Sequence, residues 1–509
     1  MSRPGTIGWF ARHEARLAWR DWLSLMTGGR RRRVGTVILG ASTFALFMHG
    51  LAYLMLSHGA DLTDPADPHV LLVVTGTLVL TFSLMLSQAI ESVTRAFYAR
   101  GDLELILTSP ASASRLFAVR SAAMVVTTLA MALVLGAPFI NILAWLGGAC
   151  WLGAYAVALA LAMDAVAIAV AITIALFHAI GPRRTRFVAQ ILAAVVGAAF
   201  AIGVQFAAIL SYGTNADPRP ALLSGFAPGR DSAILLPARA VVGEPAALLA
   251  MLGIGIAALA VAIHTFAPQF GRQALAAATS QSTRQRRRRQ SPFRVASPAQ
   301  ALRRKEWTLL LRDPWLMSQT LMQLLYLMPA AYLVWRNFYG GTNVSALLVP
   351  ILIMTAGQLG GGLAWLAVSG EDAPDLIASA PVSRRAVLRA KTEAVLGGVV
   401  VVFGPFIIVL SVAAPFAALV ALAGVVIAAG SATAIQFWFR TQARRTLFRR
   451  RQTSSRIATI AEALSSTGWA GTGALAATGT WLAVLPGAVV LAIVAGTWMI
   501  SPTKGSSLY

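Results

Sequence analysis

Residues Asp102 to Arg120 read DLELILTSPASASRLFAVR, and a similar run, PDLIASAPVSRRAVLRAK, returns at Pro374 to Lys391. Each copy opens on an acid (Glu104, Asp375) followed by Leu-Ile (Leu105-Ile106, Leu376-Ile377). Each continues through a hydroxyl residue (Thr108, Ser379), a proline (Pro110, Pro381) and a serine (Ser112, Ser383), and closes on a base (Arg120, Lys391). The spacing from acid to proline to base is the same in both. Both are polar islands between long apolar segments, which marks each as a surface element held against a membrane domain, with a proline breaking the chain at a fixed place.

The apolar segments set the class. With 57% hydrophobic and 12% charged residues in 509, the chain reads as a polytopic membrane protein rather than a string of soluble domains. A helix needs about 20 apolar residues to cross the bilayer core. About twelve such stretches fall at 34–56, 70–90, 120–145, 150–178, 187–211, 248–268, 317–335, 344–368, 391–412, 416–438, 456–477 and 482–500. Spans that satisfy their own backbone polar groups are helices, so the expected class is all-α. A lone Cys150 has no partner for an internal disulfide and makes thiol catalysis or a cysteine metal site improbable. The first apolar run begins only after Arg33, too far in for a cleaved signal peptide, and is expected to be a retained span.

A net charge of +23 would suggest nucleic acid in a soluble protein, but its placement gives another reading. With the N-terminus inside, the outer loops hold only Arg219, Arg230, Arg239 and Arg336 of the 42 Lys and Arg residues. Cytoplasmic loops retain such bases, so the charge encodes topology, with both termini cytoplasmic, and no nucleic-acid partner is needed to explain it. Residues 7–26 place Arg12, Arg16 and Arg20 on one side of an expected interfacial helix, with Phe10 and Leu17 roughly opposite.

The halves resemble one another further. Glu14, Arg20 and Asp21 are matched at equal spacing by Glu306, Arg312 and Asp313, each set just before the first span of its half. Arg186 before the fifth span is matched by Arg456 before the eleventh. Three correspondences in the same order indicate a tandem repeat. Six spans per repeat give both halves the same orientation, hence two parallel repeats. The expected organisation is a first half over 1–270, a basic linker over 271–300 and a second half over 301–509. The linker, with Arg286 to Arg289, is a strip attracted to anionic membrane lipid or a docking strip for a cytoplasmic partner. The outer segment 212–247 folds back as a short interfacial helix or acts as a lid; both readings stand.

The chain holds no phosphate-cradling G-x-x-x-x-G-K-[ST] loop, no H-E-x-x-H, no G-x-S-x-G and no paired Cys motif. It is therefore read as no enzyme, and active transport through it needs an outside energy source. Asp164 is the main intramembrane acid, where a charge costs on the order of 3 kcal/mol and needs a partner or a cavity. One reading gives it a structural hydrogen bond; the other makes it the coupling site of a gradient-driven carrier. The repeated motif fits another mechanism. It joins the second and third spans of each half, where a short amphipathic helix would carry push and pull from a cytoplasmic motor, Glu104 and Asp375 serving as helix N-terminal charges or facing bases of that partner.

The stretch Glu104-Leu105-Ile106-Leu107-Thr108-Ser109-Pro110-Ala111-Ser112 resembles the E-L-L-L-[TS]-[SA]-P-x-S run of ABC-2 type exporter permeases, and Asp375 to Ser383 resembles a weaker copy. The likeness spans the whole chain in topology but about 60 residues in motif. It implies interfacial helices over 7–26 and 300–314 and coupling helices over 101–118 and 372–389. In these, Glu104, Leu105, Thr108, Pro110, Asp375, Leu376, Ser379 and Pro381 would face the motor. It further implies two cytoplasmic ATP-binding cassette subunits that hold ATP and Mg, a bacterial inner membrane, and export as the direction of transport. Departing from the family's usual single unit, this chain fuses two. Arg384-Arg385 replace Ala113-Ser114 in the second copy, so the two coupling sites need not be equivalent. Few intramembrane charges favour a lipidic or amphipathic substrate. The alternative is a gradient-driven carrier of two six-span halves coupled through Asp164.

Overall fold

The computed structural model describes residues 7–27, 34–57, 67–98, 113–212, 229, 232–279, 297–312, 345–369, 377, 379–439 and 456–501, with Leu321, Leu325, Met328 and Tyr332 singly. Among these residues the secondary structure is helical and no strand occurs. The chain forms an all-α membrane protein and divides into two compact units, Met1–Arg287 and Arg288–Tyr509.

In the first unit, α1 (Ile7–Thr27) is amphipathic: Phe10 is buried and Leu17 half-buried, while Arg12, Arg16 and Arg20 are exposed. The helices α2 (Val34–Ser57), α3 (Pro68–Tyr98) and α4 (Ala113–Gly147) follow. The long α5 (Gly153–Tyr212) has two arms that meet at Gly181, where φ is 74° and ψ 164°. Only glycine takes that backbone easily, and the following Pro182 favours an extended residue before it, so the helix breaks there. The break separates the two spans expected at 150–178 and 187–211. The core is built where α5 lies against α3 and α7 (Pro245–Thr279). Ala160, Ala162, Ala165 and Ala169 of α5 are fully buried, small enough for neighbouring backbones to approach closely, and a Cβ on Gly255 of α7 would stand 2.9 Å from the Ala160 carbonyl oxygen. Tyr155 donates to Asn141 Oδ1 (2.7 Å) and the Asn141 amide lies 3.2 Å from His49 Nε2, a polar knot joining α5, α4 and α2. The expected short helix of the outer segment is α6 (Leu236–Val241), preceded by one 3₁₀ turn and packed on α3 and α7.

The second unit holds α8 (Pro298–Arg312), α9 (Ser345–Ser369), α10 (Arg384–Ala413), α11 (Pro415–Phe439), α12 (Arg456–Ala477) and α13 (Val484–Met499). Its core is α9, which touches α8, α10, α11 and α12.

Among the described residues, eight helices are long and apolar enough to cross a membrane, four in each unit: Val70–Phe97, Ser114–Gly147, Ala149–Gly181, Pro245–Gln269, Leu348–Val368, Arg384–Ala413, Pro415–Phe439 and Trp481–Met499. Four of the twelve expected spans are not among them. In α2 the apolar stretch that qualifies is shorter, Ala41–Ser57. The segment 187–211 is the second arm of α5, 317–335 lies almost wholly outside the described residues, and 456–477 is helical but polar, carrying Glu462, Ser465, Ser466 and Thr467. Ser465 and Ser466 are buried against the rest of the unit.

Candidate functional site

Of the expected coupling residues, Glu104, Leu105, Thr108, Pro110, Asp375 and Leu376 lie outside the described residues. Ser379 and Pro381 are described and exposed. Proline closes the short turn around them: the Ala380 amide donates to Ile377 O (3.3 Å) and the Val382 amide to Ala380 O (2.7 Å). Ser383 then starts α10 as its N-cap, with extended backbone (φ −67°, ψ 141°) and its hydroxyl accepting from the Ala386 amide at 3.2 Å. This corrects two expected boundaries. The coupling helix was expected to run to residue 389 and the span to begin at 391, but the cap at Ser383 makes 384–413 one helix. In the first unit α4 likewise starts at Ala113, at the same position of the motif, rather than at 120.

The base that closes each motif meets an acid of α1 in the first unit and of α8 in the second. In the first unit Arg120 Nε of α4 stands 3.5 Å from Glu14 Oε1 of α1. In the second, Lys391 Nζ of α10 stands 3.0 Å from Glu306 Oε1 of α8 and donates to Glu306 Oε2 at 3.2 Å. Lys391 also donates to the Ala367 carbonyl near the end of α9, and Lys305 Nζ lies 3.2 Å from Glu306 Oε1. Glu306 is 1% exposed and Lys391 7%, so this pair is desolvated and tied into the helix backbone. The first pair is wetter, at 15% and 23% side-chain exposure. Outside the buried pair, Glu393 accepts from Arg303 (2.5 Å) and Arg389 (3.0 Å), a second and exposed tie between α8 and α10. Arg20 is exposed on α1, Asp21 and Arg312 fall where only the helix itself is described, and Asp313 lies outside the described residues.

Because the Glu14–Arg120 pair is looser and partly solvated, breaking it with Glu14→Gln is expected to cost only about 0.5–1 kcal/mol, read as a small drop in the unfolding midpoint of the detergent-solubilised chain. A loss above about 3 kcal/mol would mean that the pair is far drier than its 3.5 Å separation and exposure indicate.

Asp164 is half-buried in the first arm of α5 and shares a helical stripe with exposed Ile168, Ala171 and Ala175. Among the described residues no hydrogen bond or ion pair engages its carboxylate, so the expected structural hydrogen bond is not found there. In the second unit Ser431 and Gln436 of α11 face α12. Gln436 Nε2 donates to Glu462, and the Trp469 indole donates to Ser431 at 3.2 Å. Glu462 sits nearly two turns into α12, against Gly361 of α9, where a Cβ would fall 2.1 Å from its carboxyl. The helices packed on α12, namely α9, α11 and α13, carry no charged residue. A polar residue on one apolar helix requires a partner on another, and that requirement was the available signal in the sequence. Among the described residues no group of His, Cys, Asp and Glu could hold a metal ion. No family model, no curated protein and no solved structure matches this chain.

Proposed function

We propose that this chain is the membrane permease of an ATP-driven exporter of the ABC-2 type, two parallel six-span repeats fused in one polypeptide of twelve spans, in a bacterial inner membrane with both termini cytoplasmic. Two cytoplasmic cassette subunits bind ATP and Mg and engage the motifs around Glu104 and Asp375. The cargo is lipidic or amphipathic. The observation that carries this reading is the recurrence of one acid–base tie, Glu14–Arg120 and Glu306–Lys391, at equivalent places of both motifs. The order of neighbours supports the repeat: α1 on α4, α3 on α4 and α5, and α5 on α7 are echoed by α8 on α10, α9 on α10, α11 and α12, and α12 on α13.

The tie has a mechanical meaning. A motor that moves the segment before Pro110 or Pro381 displaces the first turn of α4 or α10. The ion pair lies about two turns further along and obliges the interfacial helix to follow. Cytoplasmic movement thus reaches one span and one membrane-surface helix together, as coupling from an outside ATPase requires.

Pull-down of the detergent-solubilised chain from its native membrane is expected to recover a P-loop subunit with ATPase activity. The joint substitution Glu104→Lys and Asp375→Lys is expected to lose that subunit while the unfolding midpoint stays unchanged. The Asp164 carboxylate, which no other described residue engages by a hydrogen bond or ion pair, favours a second reading, the gradient-driven carrier. Recovery of the chain without an ATPase, together with transport abolished by Asp164→Asn, would establish the carrier and sink the exporter.

A further inference from the structure

In the second unit α12 turns a polar stripe towards α9 and α11. Glu462 lies against Gly361, and Ser466, one turn on, lies against Gly357, where a Cβ would fall 2.4 Å from the Ser466 hydroxyl oxygen. Neither glycine has a side chain to hold α12 off, so the carboxyl and the hydroxyl both rest on the α9 backbone. From α11 the Gln436 amide donates to Glu462. Ser465 and Ser466 are 0% and 1% exposed, and neither hydroxyl has a hydrogen-bond partner. Other hydroxyls close by behave differently: Ser431, Thr433 and Thr472 each donate to the carbonyl four residues back. Buried hydroxyls that no protein group satisfies call for a partner from outside the chain, a water or an ion.

We infer that this cluster binds one small monovalent cation of the alkali class, sodium, held by the Glu462 carboxylate and the Ser465 and Ser466 hydroxyls. Charge carries the choice. The helices packed on α12, namely α9, α11 and α13, hold no charged residue. The helix's own base, Arg456, starts it six residues before Glu462, about 9 Å along the axis. Beyond the Gln436 bond, no described residue engages the Glu462 carboxylate. A carboxylate in such surroundings needs a compensating charge. A water would satisfy the hydroxyls and not the charge; a proton would remove the charge and engage one hydroxyl at most. A cation coordinated by all three groups meets both needs. One carboxylate matches one positive charge, whereas a divalent ion normally gathers more of them, and hydroxyl and carboxylate oxygens are hard donors suited to a hard ion. Gln436 lies one turn before the end of α11 at Phe439 and Glu462 is only half-buried, so an ion can enter near the helix end. The inference is independent of the exporter reading, since binding requires neither a cassette subunit nor transport.

Unfolding of the detergent-solubilised full chain in sodium chloride and in choline chloride of the same ionic strength and pH tests it, together with equilibrium binding of radioactive sodium. The wild type is expected to bind one sodium ion saturably, with an unfolding midpoint that rises with sodium and stays flat with choline, because a ligand held by the folded state alone stabilises it by mass action. Glu462→Gln keeps the size of the side chain and an acceptor for Gln436, and is expected to weaken sodium binding about tenfold or more and to flatten the sodium dependence. Ser466→Ala is expected to weaken binding about fivefold while its midpoint in choline stays at or above that of the wild type, since it removes a buried hydroxyl that no protein group satisfies. A serine with a purely structural role would instead lower the midpoint in both salts and leave sodium binding alone. The inference is overturned by a wild-type midpoint that is the same in both salts, which would leave the carboxyl to a proton or to a base of segment 440–455. Sodium binding that survives either substitution unchanged overturns it as well, placing the ion elsewhere.

Discussion

Lys391→Met is expected to destabilise the second unit by about 3 kcal/mol, read as a lowered unfolding midpoint in detergent at fixed lipid content. The substitution keeps the apolar length of the side chain and removes only the ammonium. Glu306, 1% exposed, is then left with Lys305 alone, and the Ala367 carbonyl loses its donor. Breaking one side of a buried pair typically costs about 3–5 kcal/mol because the remaining charge stays desolvated; the surviving Lys305 contact places the effect at the low end of that range. Removing both charges together, Glu306→Met with Lys391→Met, is expected to recover most of the loss, since neither partner then suffers burial without compensation. A single-variant loss under about 1 kcal/mol would show that the pair is solvated and carries no force between α8 and α10. On the exporter reading, a folded single variant should also hydrolyse ATP at its partner without matching transport, because the interfacial helix no longer follows α10.

The second large effect concerns Gly361. Gly361→Ala is expected to destabilise the same unit by about 1–3 kcal/mol, because the added methyl falls 2.1 Å from the Glu462 carboxyl and drives it off Gln436. Glu462→Ala alone leaves the Gln436 amide unpaired in an apolar interior, at a similar cost. In the double variant the methyl occupies space the carboxyl has vacated, so the two losses should not add, with a favourable coupling of about 1–2 kcal/mol. Additive losses in chemical unfolding of all three variants would show that Gly361 and Glu462 do not share this space.

Much of the fold is legible in the residues themselves. Apolar stretches of span length dictate an all-helical membrane protein, because a backbone in lipid has to satisfy itself, and the qualifying helices lie inside the stretches read from the sequence or a few residues beyond them. The Gly181-Pro182 break and the amphipathic α1 follow from local chemistry that a sequence states directly. Less legible are the starts of α4 and α10. The apolar pattern begins near residues 120 and 391, but a Ser383 cap sets the helix end regardless of hydropathy. The polarity of 456–477 is in the sequence as well. Its meaning is not, since Ser465 and Ser466 are hidden by neighbouring helices and never meet lipid as apolar residues must.

The candidate site divides in the same way. Sequence by itself determined the two motifs, their common spacing and the closing bases Arg120 and Lys391, because a repeat is visible as residue identity. Only the tertiary structure decided what those bases do. Lys391 and Glu306 are 85 residues apart, and Gln436 and Glu462 are 26 apart on adjoining helices. Pairing across such distances depends on which helix faces which and at what rotation. That rotation is set by small residues such as Gly361 and Ala160, whose fit is a property of the packed neighbours and not of the residues alone.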